Sequence, residues 1–230
     1  MPNFNILKPI EYTETFRNKS IIDNFDLEDV QFQEEFKGEI PIEDTEWSIG
    51  LIVGGSGTGK TTIARECFNL KEPHQYGNGS ILDEMPSNCS TKSITSMFSS
   101  VGLSSVLTWL KPYHVLSNGE KMRVDLAYHL LSDEEVIIFD EFTSVVDRTI
   151  AKVTSHTVQK NVRKSDKKFI GVSCHFDIID WLQPDWVYNT DDGSFFGERW
   201  GQNHQLNSKY IKSQTDLVKE YGRHSVNIII

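Results

Sequence analysis

Two hydrophobic periods alternate along this chain from Trp47 onward. Short, nearly unbroken apolar runs occur at "WSIGLIV", "EVIIFDE" and "KFIGVSCH", the pattern of strands buried on both faces. Between them, "TTIARECF", "TKSITSMFSSVGL" and "RTIAKVTSHTVQKNVRKS" read as helices, the second stopped at Gly102. Strand and helix in alternation predict a parallel sheet with crossover helices. Residues 1–46 are different: "FNIL", "VQFQEEF" and "GEIPI", separated by polar breaks, predict an antiparallel lead-in sheet. Pro73, Gly77, Gly79 and Pro86 break the stretch from Lys71 to Ser90 into loop around one short strand, "SILD". "SSVLTWLKPYHV" then leads into "LSNGEK". "DIIDWLQPDWVY" reads as core closing a sheet edge, and the tail from Trp186 mixes polar turns, a helix at "SQTDLVKEY" and a last strand at "SVNIII".

The hexapeptide "LSNGEK" has a local explanation. Ser117 followed by Glu120 has the form of a capping box, and Met122, Leu126 and Leu130 recur at helical spacing through "KMRVDLAYHLL". Capping does not call for Gly119, which weakens a first turn unless something approaches the backbone closely.

Composition bounds the partners. With 230 residues and 38% hydrophobic content, the chain supports one sizeable core, so a single domain over 1–230 is expected. A net charge of −10 argues against coating duplex DNA by charge alone. Nucleic acid stays compatible but is not indicated, and the basic cluster Lys160, Arg163, Lys164, Lys167 and Lys168 reads as a solvated surface. The N-terminus lacks the basic-then-apolar order of a signal peptide, and no apolar run is of membrane-spanning length. A soluble, cytoplasmic protein without direct membrane insertion is therefore expected. Cys67, Cys89 and Cys174 form no C-x-x-C pair and are expected to be buried thiols.

The strongest chemical signal is "GGSGTGKT", Gly54 to Thr61, with the spacing G-x-x-x-x-G-K-T between a buried strand and a helix. In such a loop Gly54, Gly55, Ser56, Gly57, Thr58 and Gly59 let successive N–H groups wrap a phosphate, and Lys60 neutralises its oxygens. Thr61 brings a hydroxyl to magnesium, and Thr62 follows in the first helical turn. "EVIIFDE" ends in Asp140 and Glu141, placing two carboxylates at the carboxyl edge of the same sheet. Asp140 reads as a magnesium residue and Glu141 as a general base; an ordinary solvated strand end is the bland alternative.

The order of the phosphate loop, "LSNGE", a strand ending in Asp-Glu, "SVVD" and an isolated His after another strand resembles the ATP-binding cassette (ABC) superfamily of ATPases, from Trp47 to about Trp186. The resemblance implies an α/β fold, a P-loop NTPase of ABC ATPase type. It has a mostly parallel central sheet with flanking helices, an antiparallel β lead-in (1–46) and a P-loop strand and helix (47–70). A reduced helical subdomain (71–115), the motif-bearing segment (116–185) and a C-terminal segment (186–230) complete it. It also implies ATP and Mg2+ as ligands. "LSNGEK" is similar to the family's signature motif, with Asn118 in place of a glycine and Glu120 in place of glutamine. Ser117 and Gly119 would then meet the γ-phosphate of ATP held by a second copy, making an ATP-dependent head-to-tail homodimer. Asp147 would contact the partner from the D-loop, His175 would be the switch histidine, and Gln75 the magnesium-sensing glutamine. Phe25 is the candidate for stacking on adenine.

A narrower resemblance links "WSIGLIVGGSGTGKTTIARECF", "LSNGEKMRVDLAYHLL" and "SCHFDIIDWLQPDWVYNTD" to soluble ABC ATPases of bacteria, archaea and phages, some fused to an acetyltransferase-like domain. It implies that any such partner is a separate protein or absent, because the chain has no room for that domain. The segment between Lys60 and Leu116 is short for the helical subdomain of transporter ATPases and far too short for coiled-coil arms. A soluble regulatory or nucleic-acid-associated ATPase is the expected use, with a transporter subunit and a P-loop small-molecule kinase as the competing readings.

Overall fold

The computed structural model describes residues 3–9, 13–25, 33–43 and 45–197. Its elements are β1 (Asn3–Pro9), α1 (Phe16–Asn24), β2 (Gln33–Glu39), β3 (Ile49–Val53), α2 (Lys60–Phe68), α3 (Thr91–Ser100) and α4 (Val106–Trp109). They continue with α5 (Asn118–Leu131), β4 (Val136–Phe139), α6 (Arg148–Val162), β5 (Lys168–Ser173), α7 (Ile179–Leu182), β6 (Trp186–Asn189) and β7 (Ser194–Phe196).

A five-stranded sheet in the order β4-β5-β3-β6-β7 forms the centre. β4, β5, β3 and β6 run parallel, and β7 closes the sheet antiparallel to β6. Every residue of β3 is buried, as its unbroken apolar run requires. Ile49, Leu51 and Val53 face one core, shared with α3, α5 and α6, while Ile52 faces a second with Ile63 and Ala64 of α2 and Trp186 of β6. Gly50 stands opposite Trp186 in the register, and a Cβ there would lie 2.0 Å from the indole. The missing side chain is what admits the ring. Trp186 stacks on Phe68 and Phe195 and meets Trp47 edge-on.

The lead-in has two strands, β1 and β2, paired antiparallel with Phe4 opposite Gly38. "GEIPI" contributes only Gly38 and Glu39 to β2; Ile40 and Ile42 leave the strand to bury against the second core. The polar break after β1 holds α1, which the strand-like reading of 1–46 missed. Thr15 caps it by accepting from Asn18 N at 3.2 Å, and none of its residues is buried. Local capping, rather than a buried apolar face, defines that helix.

"SILD" is a turn and not a strand. Ser80 Oγ donates to Asp83 at 2.6 Å, and the N–H groups of Ile81 and Leu82 bond to Lys111 and Trp109. The preceding loop is held by aromatic rings: His74 stacks on Tyr128 at 3.9 Å and Tyr76 on Tyr113 at 4.0 Å. Gly102 ends its helical turn at φ +81°, as the sequence predicts. "DIIDWLQPDWVY" is largely core, but its last three residues, Trp186 to Tyr188, lie in β6, an interior strand, because β7 covers the edge. "SQTDLVKEY" and "SVNIII" lie outside the described residues.

The cysteines are not buried thiols: Cys67 and Cys89 are half-buried and Cys174 is exposed. Burial, aided by Glu66, still pushes the Cys67 thiol up to about 11. Among the described residues no helix is long and apolar enough to cross a membrane.

Candidate functional site

Parallel strands deliver their following residues to one edge of the sheet. Val53, Phe139 and Ser173 end β3, β4 and β5, so the glycine loop, Asp140 with Glu141, and His175 share that carboxyl edge. β5 stands between the phosphate-loop strand and the acidic strand.

The loop from Gly54 to Gly59 is shaped by glycines with positive φ at 54, 57 and 59. A Cβ on Gly57 would meet nothing within 4 Å, whereas one on Gly59 would strike the Phe36 ring at 2.3 Å. The loop is thus open on one side and braced by β2 on the other. Gly59 caps α2 without a side-chain hydrogen bond, so the helix presents N–H groups that no side chain caps. Lys60 Nζ donates to the carbonyl of Gly55, bridging the mouth of the loop. Ser56 and Thr61 are exposed, and Thr58 and Thr62 half-buried. An open glycine cradle, an uncapped helix start and a lysine form a donor set that fits a polyphosphate.

Asp140 Oδ1 accepts from the N–H of Glu141 at 2.9 Å. Glu141 is held at φ +50° and Thr143 at φ +68°. Phe142 between them is buried, wedged against Phe139 and Phe169, and its N–H bonds to Val172 at 2.7 Å. Burial of that ring enforces a backbone costing about 1–3 kcal/mol per left-handed residue. It leaves the Glu141 side chain exposed at the edge.

His175 follows β5, its N–H donating to Ser173 Oγ at 3.1 Å. Burial and the nearby Arg148 guanidinium lower its pKa below the usual histidine value, against an opposing pull from Asp177. Burial and Arg148 both favour the neutral imidazole over the imidazolium.

Ser117 forms the full capping box. Its Oγ accepts from Glu120 N at 3.3 Å, while its own N–H and hydroxyl donate to Glu120 Oε2 at 2.9 and 2.8 Å. Those bonds lower the Glu120 pKa. Met122, Leu126 and Leu130 are buried as their spacing predicts. Replacing Ser117 by Ala should cost about 1 kcal/mol in urea unfolding at neutral pH. Because the folded-state pKa of Glu120 is depressed, its contribution is in place above the ordinary glutamate value. That contribution fades as pH falls through the folded value, so the wild-type advantage should shrink in acid. Gly119 packs against the D-loop: a Cβ would sit 3.4 Å from Val145 O and Val146 Cγ1. Asp147 Oδ1 caps α6, accepting from Thr149 and Ile150 N–H at 2.8 and 3.0 Å.

Two expected positions stand apart. Gln75 is exposed, with Nε2 donating to Pro73 O at 3.3 Å. A cavity of about 910 Å3 that reaches Asp140 and Glu141 is lined by its neighbours Pro73 and His74 instead. Phe25 ends α1 with 69% of its surface exposed, and the ring that touches the phosphate loop is Phe36.

No family model matches the chain. A segment of 108 residues is 28% identical to multidrug resistance protein 1 of Plasmodium falciparum, in isolates FC27 and 3D7, covering 46% of this chain and 7% of that protein. Among solved structures, the ATP-binding cassette MJ0796, in a dimeric post-hydrolysis state bound to ADP and Pi, superposes with a TM-score of 0.59 at 13% identity. The match covers 85% of this chain and 97% of that one. A bacterial Atm1-family ABC exporter with ATP bound superposes at 0.57 and 17% identity, over 74% of this chain and 37% of the exporter. The fold is that of an ATP-binding cassette.

On this cassette fold, two residues absent from the sequence motifs brace the phosphate loop. Asp191 Oδ1 accepts from Gly55 N at 2.7 Å, and Thr190 Oγ1 lies 2.5 Å from Thr58 Oγ1 and donates to Val53 O at 3.1 Å. A Cβ on Gly54 would fall 2.1 Å from Thr190 Oγ1, so this glycine is needed for contact as well as conformation. The signal was the apolar run "WVYN" ending in Thr-Asp, another strand delivering polar residues to the same edge. The basic cluster is largely consumed by the cassette itself. Arg163 bonds to Asp185 and Gln183, Lys167 caps the carbonyls of Leu130 and Ser132, and Lys168 covers the Trp47 ring.

Proposed function

We propose that this chain binds and hydrolyses ATP as an ABC-type ATPase, closing as a head-to-tail dimer around the nucleotide. The observation that carries this reading is the convergence of the glycine loop, Asp140 with Glu141, and His175 on one sheet edge. Gly54 to Thr62 bind the phosphates, with Lys60 exchanging the Gly55 carbonyl for phosphate oxygens. Thr61 and Asp140 would hold Mg2+, which supplies charge neutralisation on the phosphates. Glu141 takes a proton from water as the water oxygen bonds to the γ-phosphorus and the bond to the bridging oxygen breaks, leaving ADP and phosphate. His175, with one N–H donor and one acceptor, orients the γ-phosphate and the water. Ser117 and Gly119 of the second copy complete the site, and Asp147 lines the same interface. Gln75 would join the metal side only by leaving its bond to Pro73.

The output is closure on ATP and opening after hydrolysis, read by a protein partner in a regulatory process. A role beside nucleic acid is compatible with this but has little support, since most of the basic cluster is tied up in the fold. A transporter subunit is the second reading. It is favoured by the names of the similar proteins and by the exposed Val106, Leu107 and Leu110 ahead of α5. Copurification with a membrane protein would decide for it. A P-loop kinase would leave an acceptor phosphorylated and release no free phosphate.

The test is mass by light scattering for Glu141→Gln with and without Mg-ATP. A monomer that becomes a dimer on ATP, and fails to do so after Ser117→Arg in a variant whose helical circular dichroism is intact, supports the trans site. An unchanged mass with nucleotide bound makes "LSNGEK" a helix cap alone and removes the dimer.

A further inference from the structure

Arg148 begins α6 immediately after the D-loop, and its side chain reaches the turn that follows His175. Its Nε donates to Asp177 Oδ2 at 2.8 Å and its Nη2 to Oδ1, a two-pronged grip 29 residues across the chain. The guanidinium carbon also lies 5.3 Å from the centre of the Trp181 ring, on α7. The third nitrogen, Nη1, is buried and has no hydrogen-bond partner among the described residues. A buried unpaired donor costs more than a half-exposed ion pair contributes, so this pair is a poor device for stability alone.

We infer that Arg148 is a positioning residue for His175: by clamping Asp177 it fixes the turn that carries the imidazole and sets a permanent positive charge beside the ring. This rests on the reading of His175 as the residue facing the γ-phosphate. The geometry ties the first turn of α6, and through Asp147 the D-loop, to the histidine loop. A shift of the D-loop at a dimer interface is then felt at the imidazole without any contact between the ring and the partner. The charges acting on the ring are Arg148 from α6 and Asp177 from its own turn. Asp140 and Glu141 stand along the same edge at the end of β4, and Cys174 Sγ lies 3.9 Å from Ser144 Oγ. After burial, Arg148 is the larger influence, and Asp177 opposes it.

The two partners of the grip predict opposite results. Arg148→Gln removes the positive charge and frees the Asp177 carboxylate, so His175 should protonate at higher pH than in the parent. Asp177→Asn leaves the guanidinium alone beside the ring, so His175 should protonate at lower pH. A brace with no electrostatic role loses the same bond in either variant and moves both the same way. The measurement is NMR pH titration of the imidazole in the full chain, with His175→Gln identifying its resonance among the seven histidines. Opposite displacements support the inference; displacements of one sign, or none, overturn it. Arg148→Lys keeps the charge without the fork and should titrate near the parent, and titration alongside Arg148→Gln would overturn it. If Arg148→Gln does not fold, Asp177→Asn and Arg148→Lys carry the test. The acid limb of ATP hydrolysis should move with the titration. If the imidazole moves as expected while that limb stays fixed, the Arg148 inference stands and the hydrolytic role of His175 is what fails.

Discussion

Glu141→Gln should lower ATP hydrolysis by about 10²–10⁴-fold while leaving ATP binding within a few-fold of the parent, the range general base catalysis contributes. The substitution keeps the shape of the side chain and removes only its capacity to take a proton. The surrounding backbone has no reason to move, because Glu141 owes its left-handed conformation to the buried Phe142 and the bond from Phe142 N to Val172 O. Its carboxylate is exposed at the sheet edge. Single-turnover release of phosphate from Mg-ATP, set beside nucleotide binding by fluorescence titration, separates the two effects. A loss below about tenfold would take the base role away from Glu141. Lys60→Ala is the contrasting control, since it should weaken binding itself.

The largest stability effect should come from Trp186→Ala, at about 3–5 kcal/mol, read by urea unfolding of the whole chain. The indole is almost fully buried and fills the space left by Gly50, between Phe68, Phe195 and Trp47. Helix α2, which begins at the phosphate loop, rests on this cluster through Phe68. ATP affinity should therefore fall with stability. Trp186→Phe makes the argument sharper. The indole Nε1 is buried with no hydrogen-bond partner among the described residues, so replacing it with a smaller aromatic ring forfeits packing but none of the hydrogen bonds seen there. Its cost should stay clearly below that of the alanine variant, because most of the cavity remains filled. A phenylalanine variant as unstable as the alanine one would mean that the indole nitrogen has a role these contacts do not explain.

The dimer reading and the hydrolysis reading fail separately. Glu141→Gln that hydrolyses slowly but never dimerises would leave a cis site with a helix cap at Ser117. A dimer that still turns over would leave the trans site intact and displace the base. The Arg148 titration depends on neither mass nor turnover.

The glycine loop, the parallel strands β3, β4 and β5, the acidic strand end and the capping box were legible because each is encoded locally. Glycines at fixed spacing permit the positive φ values, and Ser117 finds Glu120 three residues away. The unbroken apolar runs of β3 and β5 bury on both faces, while β4, at the sheet edge, leaves Val136 exposed and Ile138 half-buried. Helix α1 escaped notice because it buries nothing and so shows no hydrophobic period. "SILD" misled because an apolar pair between turn residues looks the same whether its N–H groups pair with a strand or with Lys111 and Trp109. Gln75 and Phe25 matched expected positions only by order along the chain, and order does not fix where an exposed side chain points.

By itself the sequence determined a glycine-rich loop between a strand and a helix of a mostly parallel sheet, with two carboxylates and a histidine delivered to the same edge. Only the tertiary structure decided that β5 lies between the loop and the acids, that Phe36 backs Gly59, and that Asp191 holds the Gly55 N–H. It also decided that Arg148 grips Asp177 beside His175. The physical reason is distance along the chain. Asp191 and Gly55 are 136 residues apart and Arg148 and Asp177 are 29 apart, so no local period or motif spacing records that they meet. Strand order brings them together, and it is set by how the buried faces pack.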